Sequence, residues 1–185
     1  GTLNVTAKAE NKNYKDVTVE YKLKVTRKAV TVKADNKSKV FGEKDPELTA
    51  TVEGTLGKDT VEYTLSRKAG EDVGTYPITA SGKAEQGNYS VTYATGTLTI
   101  TKAETMTLTP ELTGKNAEKV YDSKPLSGGA KATVTEGTTI TYSTDGGKTW
   151  SEELPSITNV GTLNVTAKAE NKNYKDVTVE YKLKV

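Results

Sequence analysis

The first 25 residues of the chain, GTLNVTAKAENKNYKDVTVEYKLKV, recur without a single substitution as residues 161–185. Unconstrained surface positions diverge quickly, so two perfect copies indicate recent duplication or continual homogenisation of a repeat array. We therefore expect this sequence to be a window on a longer tandem array with a period of 160 residues.

The repeated segment ends in a pattern with a period of two residues. Val17, Val19, Tyr21, Leu23 and Val25 alternate with threonine and charged residues, which predicts a strand with one buried face. Similar alternation recurs between glycines, and no helical period is sustained. Its apolar positions are Val30, Val32 and Ala34; Leu48, Ala50 and Val52; Val61, Tyr63 and Leu65; Tyr76, Ile78 and Ala80; Tyr89, Val91 and Tyr93; Leu98 and Ile100.

These short, evenly spaced strands predict an all-β fold built from small β-sandwich domains. An Ig-like sandwich suits six or seven short strands best, and a β-grasp-like arrangement is the alternative. The domains are expected to follow one another in tandem as an elongated array.

Internal similarity divides the 160-residue period again. The stretch VGTYPITASGKAEQGNYSVTYATGTLTI (residues 73–100) parallels VGTLNVTAKAENKNYKDVTVEYKLKV (residues 160–185). Upstream, KVFGEKDPEL (residues 39–48) parallels KVYDSKPL (residues 119–126). The period therefore contains two diverged sister domains.

We place the first domain at residues 26–102 and the second at residues 103–185. Residues 1–25 then supply the last strands of a preceding copy of the second domain. The two junctions, residues 22–32 and 97–108, contain neither glycine nor proline. Connectors this short limit hinge motion, which predicts a semi-rigid rod.

Composition leaves few groups for catalysis. The chain has no cysteine and no histidine, so thiolate chemistry and the commonest general base and metal ligand are absent. Its 26 basic and 24 acidic residues are interspersed, which gives no basic patch for nucleic acid. No apolar run approaches the roughly 18 residues of a spanning helix. We expect no enzyme, no cofactor, no metal site and no membrane span in this segment.

The stretch STDGGKTW (residues 143–150) matches the pattern of the Asp-box hairpin. Asp145, Gly146 and Gly147 suit the positive φ angles of a tight turn, and Trp150 can pack beneath it. We expect a structural hairpin, because a propeller would need several such boxes. The functional alternative is a sugar that contacts Trp150.

Tyrosines, lysines and carboxylates each have a structural and a functional interpretation. In-phase tyrosines are expected in the core rather than on a sugar-stacking platform; they are Tyr63, Tyr76, Tyr89, Tyr142, Tyr174 and Tyr181. Lysines are expected on solvated strand faces, which disfavours a lysine–asparagine isopeptide cross-link. Loop carboxylates lack the spacing of a calcium loop and are expected at the surface; they are Asp45, Glu47, Asp59, Glu62, Glu71 and Asp72.

The first domain resembles a known repeat family. KVFGEKDPELTATVEG, GEDVGTYPITASG and GNYSVTYATGTLTITKA are similar to MBG-type repeats of bacterial, mainly Gram-positive, adhesin-like surface proteins, over nearly all of residues 29–103. Phe41-Gly42 stands where that family usually has Tyr-Gly. The second domain, with KVYDSKPLSGG and NKNYKD, resembles the related YD-type repeats. The resemblance implies an extracellular, cell-wall-associated protein without enzymatic activity.

Two functions from different classes follow. The first is a stalk, spacer or fibre-forming segment that projects a binding region from the cell wall. The alternative is a multivalent, low-affinity binding module for host glycans or matrix proteins, which gains avidity by repetition. The expected partners are neighbouring repeats and a second copy of the chain, which would exchange strands through residues 1–25 and 161–185.

Overall fold

The computed structural model describes residues 1–112 and 116–185, and these residues form strands and turns without any helix. The predicted all-β fold is thereby confirmed. No helix that could cross a membrane occurs in these two ranges. The strands are β1 Thr2–Asn11, β2 Tyr14–Lys24, β3 Lys28–Ala34, β4 Lys37–Val40, β5 Ala50–Glu53, β6 Thr64–Arg67, β7 Gly74–Ser81, β8 Glu85–Gln86, β9 Tyr89–Ala94, β10 Gly96–Thr101, β11 Leu108–Pro110, β12 Asn116–Glu118, β13 Leu126–Ser127, β14 Ala130–Ala132, β15 Thr138–Ser143, β16 Ser156–Ile157, β17 Thr162–Asn171 and β18 Val177–Lys184.

Three of the sheets have four strands each. Their orders are β5-β3-β9-β8, β4-β10-β7-β6 and β12-β18-β17-β15. The last two share one pattern, in which a short first strand pairs with the strand that comes last in the chain. Pairs β3–β9 and β12–β18 are parallel, and the other pairs with a described register are antiparallel. A β-grasp fold packs its sheet on a helix, so the helix-free ranges do not fit that alternative.

The chain divides into two compact units. The first consists of Gly1–Lys37, Glu47–Lys68 and Pro77–Thr97. Its buried side chains follow the alternation of the sequence, as in β3, where every second residue is inaccessible. They are Val30, Val32, Ala34, Val61, Ile78, Ala80, Tyr89 and Val91. Alternation of β-branched residues places the apolar side chains of these strands on one face, which the rest of the unit covers.

The second unit consists of Ser38–Pro46, Ala69–Tyr76 and Leu98–Val185. Within it, the two-stranded sheet β11–β14 packs on strands β15, β17 and β18 around one apolar cluster. This is a small β-sandwich. Its buried members are Met106, Leu108, Ala130, Ala132, Tyr142, Val165, Ala167, Ala169, Tyr181 and Leu183. The domain boundaries at residues 25/26 and 102/103 describe sequence repeats and stay a prediction.

Two sequence-based expectations are wrong at individual residues. Tyr63 was expected in the core but is exposed, and it precedes β6 rather than lying within a strand. Lys39 was expected in solvent but is buried, while its neighbour Val40 faces outward. In β4 the polar Lys39 therefore takes the inward position and the apolar Val40 the outward one.

Identical sequences in different surroundings allow a matched stability test. Leu183 is 0% exposed and Leu23, its equivalent in the first copy, is 53% exposed. Leu183→Ala should lower the free energy of unfolding by about 2–5 kcal/mol because it leaves a cavity. Leu23→Ala should change it by less than about 0.5 kcal/mol. Urea denaturation of both variants at low protein concentration measures the difference, and equal losses would show that residues 1–25 are covered in solution.

Candidate functional site

Residues 1–25 form a long hairpin, here called the uncovered hairpin. Strands β1 and β2 pair regularly from Thr2–Lys24 to Ala9–Val17, with Leu3 opposite Leu23 and Val5 opposite Tyr21. They make a two-stranded sheet with no further strand on either edge among the described residues. The apolar face lies in solvent, since Tyr21 is 47% and Val17 58% exposed. A contiguous exposed apolar face is typical of an interaction surface.

Residues 161–185, here called the covered hairpin, form the same ribbon in the same register. Leu163 lies opposite Leu183 and Val165 opposite Tyr181. In this copy both edges are paired, with β12 beside β18 and β15 beside β17. Tyr181 is 2% exposed and its hydroxyl donates to the carbonyl oxygen of Gly128 at 2.8 Å. Burial raises the pKa of this phenol far above its ordinary value.

The turn of the covered hairpin, residues 171–176, is here called the junction loop. The Asn173 side chain accepts a hydrogen bond from the Val73 amide at 2.9 Å and donates one to the Asp72 carboxylate at 2.9 Å. The Lys172 ammonium lies 2.8 Å from the same carboxylate. These bonds join residues about 100 positions apart across the predicted domain boundary, within the second compact unit.

Further contacts in the second unit hold the junction loop from its other sides. Ala103 exchanges backbone hydrogen bonds with Asn173 and Lys175, at 3.0 and 2.8 Å. The ring of Tyr174 meets the edge of Phe41, with centroids 5.4 Å apart. Such an edge-to-face pair is worth about 0.5–1.5 kcal/mol beyond the burial itself.

Charges support the same loop. The hydrogen bond from Lys172, followed by that from Asn173, holds the pKa of Asp72 below its ordinary range. Lys175 pairs with Glu104 and lowers the pKa of that carboxyl in the same way. Both carboxylates are well exposed, so each ion pair contributes little by itself. The directional bonds of Asn173 define the geometry.

A buried lysine organises a second loop of the unit. The Lys39 ammonium contacts Asp45 at 2.8 Å, Glu71 at 2.5 Å and the carbonyl oxygen of Glu43 at 3.1 Å. These bonds, with that to Asp45 contributing most, raise the pKa of Lys39. The ammonium stays charged and is therefore a poor nucleophile for an amide cross-link.

The Asp-box stretch forms a polar turn. Asp145 accepts hydrogen bonds from the hydroxyl and amide of Thr149, at 2.6 and 3.0 Å, which lower its pKa strongly. Gly146 and Gly147 have φ angles of 75° and 87°, as the turn requires. The indole of Trp150 donates to the Gly147 carbonyl oxygen at 3.1 Å.

Trp150 is 37% exposed, and the Lys168 ammonium lies 4.9 Å from its ring centroid. One face of the ring is therefore already occupied by a cation. A sugar contact at Trp150 stays a prediction.

Four of the loop carboxylates named from the sequence contact lysine or tyrosine side chains. Asp45 and Glu71 contact Lys39, Asp72 contacts Lys172, and Asp59 accepts from the Tyr89 hydroxyl at 2.6 Å. Among residues 1–112 and 116–185, no group of three or more acidic side chains is arranged to hold a metal ion.

An open cleft of about 800 Å³ lies in the first unit beside Tyr63 and Gln86. The Gln86 amide donates to the carbonyl oxygens of Glu62 and Lys83 and to the Tyr93 hydroxyl. Its side-chain oxygen accepts from the Glu62 amide at 2.7 Å. The polar groups of the cleft are thus used to hold the fold together, which leaves few of them for a ligand.

Sequence reasoning identified the amphipathic hairpin but missed Lys39 and the junction loop. A signal existed for the lysine, because Lys-Val-aromatic occurs at residues 39–41 and again at 119–121. In the second copy the Lys119 ammonium likewise contacts Asp122 and the Lys124 carbonyl oxygen, both at 2.5 Å. No comparable signal marks Asn173, whose partners lie 100 residues away.

The fold and these sites define a class, namely an all-β chain that carries sequence repeats and has a sandwich core. Residues 30–99 match the family model described as MBG domain (YGX type), so this segment is similar to that family, as the sequence predicted. No curated protein matches the chain. The resemblance of the second domain to YD-type repeats stays a prediction.

Solved structures give weak matches. The tandem Ig repeats of Dlar match with 18% identity and a TM-score of 0.28, over 84% of this chain and 96% of that one. Mouse protocadherin-24 EC1-3 matches with 9% identity and a TM-score of 0.31, over 100% and 79% of the two chains. Protocadherin gamma B7 extracellular cadherin domains 1-4 match with 10% identity and a TM-score of 0.32, over 100% and 57%.

Removal of the Asn173 side chain tests the junction loop. Asn173→Ala should make the Val73 amide exchange with solvent about fivefold to tenfold faster, because one hydrogen bond of about 1 kcal/mol is lost. Asn13→Ala, at the equivalent position of the uncovered hairpin, is the matched control and should leave that amide unchanged. Hydrogen exchange followed by NMR gives both rates, and an unchanged rate in Asn173→Ala would contradict the contact.

The same loop should respond to acid. Because the folded-state pKa of Asp72 is lowered, its ion pair stabilises the loop above the ordinary carboxyl pKa of about 3.9 and is lost as the pH falls through the lowered value. The Asp72 carboxyl carbon shift should therefore titrate below pH ~3.9. Lys172→Gln should move that midpoint upward and Lys12→Gln should not; a normal midpoint in the parent chain would contradict the ion pair.

Proposed function

We propose that the chain is a non-enzymatic structural segment of a bacterial surface protein, a stalk or fibre-forming spacer that projects a binding region from the cell wall. The MBG match over residues 30–99 and the helix-free fold support an extracellular structural repeat. The resemblance of the sequence to Gram-positive adhesin-like chains supports the cell-surface role.

The main support for the proposal is the set of contacts that the junction loop makes. Hydrogen bonds from the Asn173 side chain to Val73 and Asp72 bridge the predicted boundary at residues 102/103. The Phe41–Tyr174 ring contact adds to them. A spacer must resist bending where its domains meet, and directional bonds at a short connector oppose that motion.

The repeat extends this argument beyond one junction. Residues 11–16 repeat the junction loop letter for letter, so every copy of the hairpin brings the same Asn-Lys-Asn-Tyr turn with it. In an array of 160-residue periods, each second domain would contact the MBG domain before it in the same way. The stiffness would then accumulate along the array.

The alternative function, multivalent binding of glycans or matrix proteins, has less support. It depends on exposed aromatic rings, and Lys168 covers one face of Trp150. The charged residues are interspersed over the surface, and charged groups are depleted at the centres of binding sites. We therefore favour the spacer.

Small-angle X-ray scattering of chains with one, two and three copies of residues 26–185 tests the spacer. The maximum dimension should grow linearly, by roughly 70–90 Å per copy if strands run along the axis. Phe41→Ala combined with Asn173→Ala should shorten it, because the junction can then bend. Val120→Ala, at a side chain that is 89% exposed, is the control. Growth with the square root of copy number in the parent chain would contradict the proposal.

A further inference from the structure

The two hairpins have the same sequence and the same strand pairing outside their turns, and they differ in their surroundings. The shared pairing runs from Thr2–Lys24 to Ala9–Val17 and from Thr162–Lys184 to Ala169–Val177. The uncovered hairpin is therefore already in the conformation that the covered hairpin has inside a sandwich. A preorganised surface of this kind does not have to be ordered when it binds.

The covered hairpin shows what fits this surface. Its cover is formed by residues 103–112 and 116–160, and the segment that contains them is here called the covering segment. Strand β12 pairs in parallel with β18, and β15 pairs with β17, so both edges are closed. Strands β11 and β14 lie over the apolar face, which Met106, Leu108, Ala130, Ala132 and Tyr142 contact.

Each contact position has an equivalent in the uncovered hairpin. Val165, Ala167, Ala169, Tyr181 and Leu183 are all buried beneath the covering segment. The equivalent side chains are Val5, Ala7, Ala9, Tyr21 and Leu23. The Tyr21 hydroxyl also corresponds to the Tyr181 hydroxyl, which donates a hydrogen bond to the Gly128 carbonyl oxygen. The surface thus offers a matched apolar face, two free edges and one hydrogen-bond donor.

Within residues 1–185 there are two hairpins and one covering segment. If two copies of the chain exchange strands, a covering segment moves from one hairpin to another and the number of uncovered hairpins stays the same. Simple exchange between copies, as predicted from the sequence, therefore buries no additional apolar surface. A further covering segment would bury it in the way that the covered hairpin shows.

We propose that the uncovered hairpin is the acceptor half of a β-sandwich, and that it is completed by a polypeptide with the sequence pattern of residues 103–160, whether that polypeptide belongs to the same chain or to another. Binding would add a strand to each edge and an apolar layer to one face, which is β-augmentation on two edges at once. This inference does not depend on the stalk function. It assigns a partner of defined chemistry to residues 1–25.

The first test mixes the full chain with a separate polypeptide of residues 103–160. A one-to-one complex should form by light scattering, and amides of residues 2–24 should exchange at least roughly tenfold more slowly. Leu23→Asp should abolish binding because it places a charge in the apolar layer. Thr18→Asp puts the same charge on the polar face, where the equivalent Thr178 is exposed, and should bind normally.

The second test needs no separate polypeptide. Leu183→Asp places a charge in the apolar face of the covered hairpin and so opposes the burial of that face. The chain then has one hairpin with an intact apolar face and one covering segment. The covering segment should move to residues 1–25, within one chain or reciprocally in a dimer, and exchange protection should move from residues 162–184 to residues 2–24. The double variant Leu23→Asp, Leu183→Asp should protect neither hairpin.

Two results would overturn the proposal. One is that residues 2–24 stay unprotected both with the added polypeptide and in Leu183→Asp. The other is that the parent chain alone forms a dimer, abolished by Leu23→Asp, in which residues 2–24 are protected at high concentration. That dimer would make a second uncovered hairpin the partner instead.

Discussion

The structure depends on the burial of one face of a long β-ribbon together with the pairing of both its edges. A two-stranded ribbon alone exposes its apolar face and leaves unpaired N–H and C=O groups along each side. In the covered hairpin, residues 103–160 meet all three requirements, and Tyr181 and Leu183 become inaccessible. The sandwich of the second unit is the arrangement that satisfies this ribbon, and the uncovered hairpin is the same ribbon without it.

Polar side chains hold much of the rest of the fold together because the apolar content is small, at 34% of residues. Lys39 is buried against two acidic groups and a carbonyl oxygen, and it joins the loop of Asp45 to that of Glu71. Asn173 joins the turn of the last hairpin to Asp72 and Val73 in a comparable way. A buried charge such as the Lys39 ammonium needs hydrogen-bonding and oppositely charged partners. These contacts link loops that the thin apolar core does not reach.

Several elements were predictable and several were not. The strands around Val30, Ile78 and Leu98 follow from alternation alone, since every second side chain needs burial. Tyr63 alternates equally well but is exposed, because the backbone there precedes β6 instead of joining a sheet. For the candidate site, the amphipathic hairpin could be read from its pattern. The contacts of Asn173 could not, because they join residues 100 positions apart and no local pattern encodes such a distance.

Sequence by itself determined the all-β fold, the strand pairs of each hairpin and the register within them, because alternation and a tight turn act over a few residues. Tertiary structure alone decided which hairpin is covered. Residues 1–25 and 161–185 have the same local preferences, yet Leu23 is 53% exposed and Leu183 is 0% exposed. Burial is a property of the surrounding chain, and in the described part of the chain residues 103–112 and 116–160 supply the strands and apolar groups that remove water from the face of the covered hairpin.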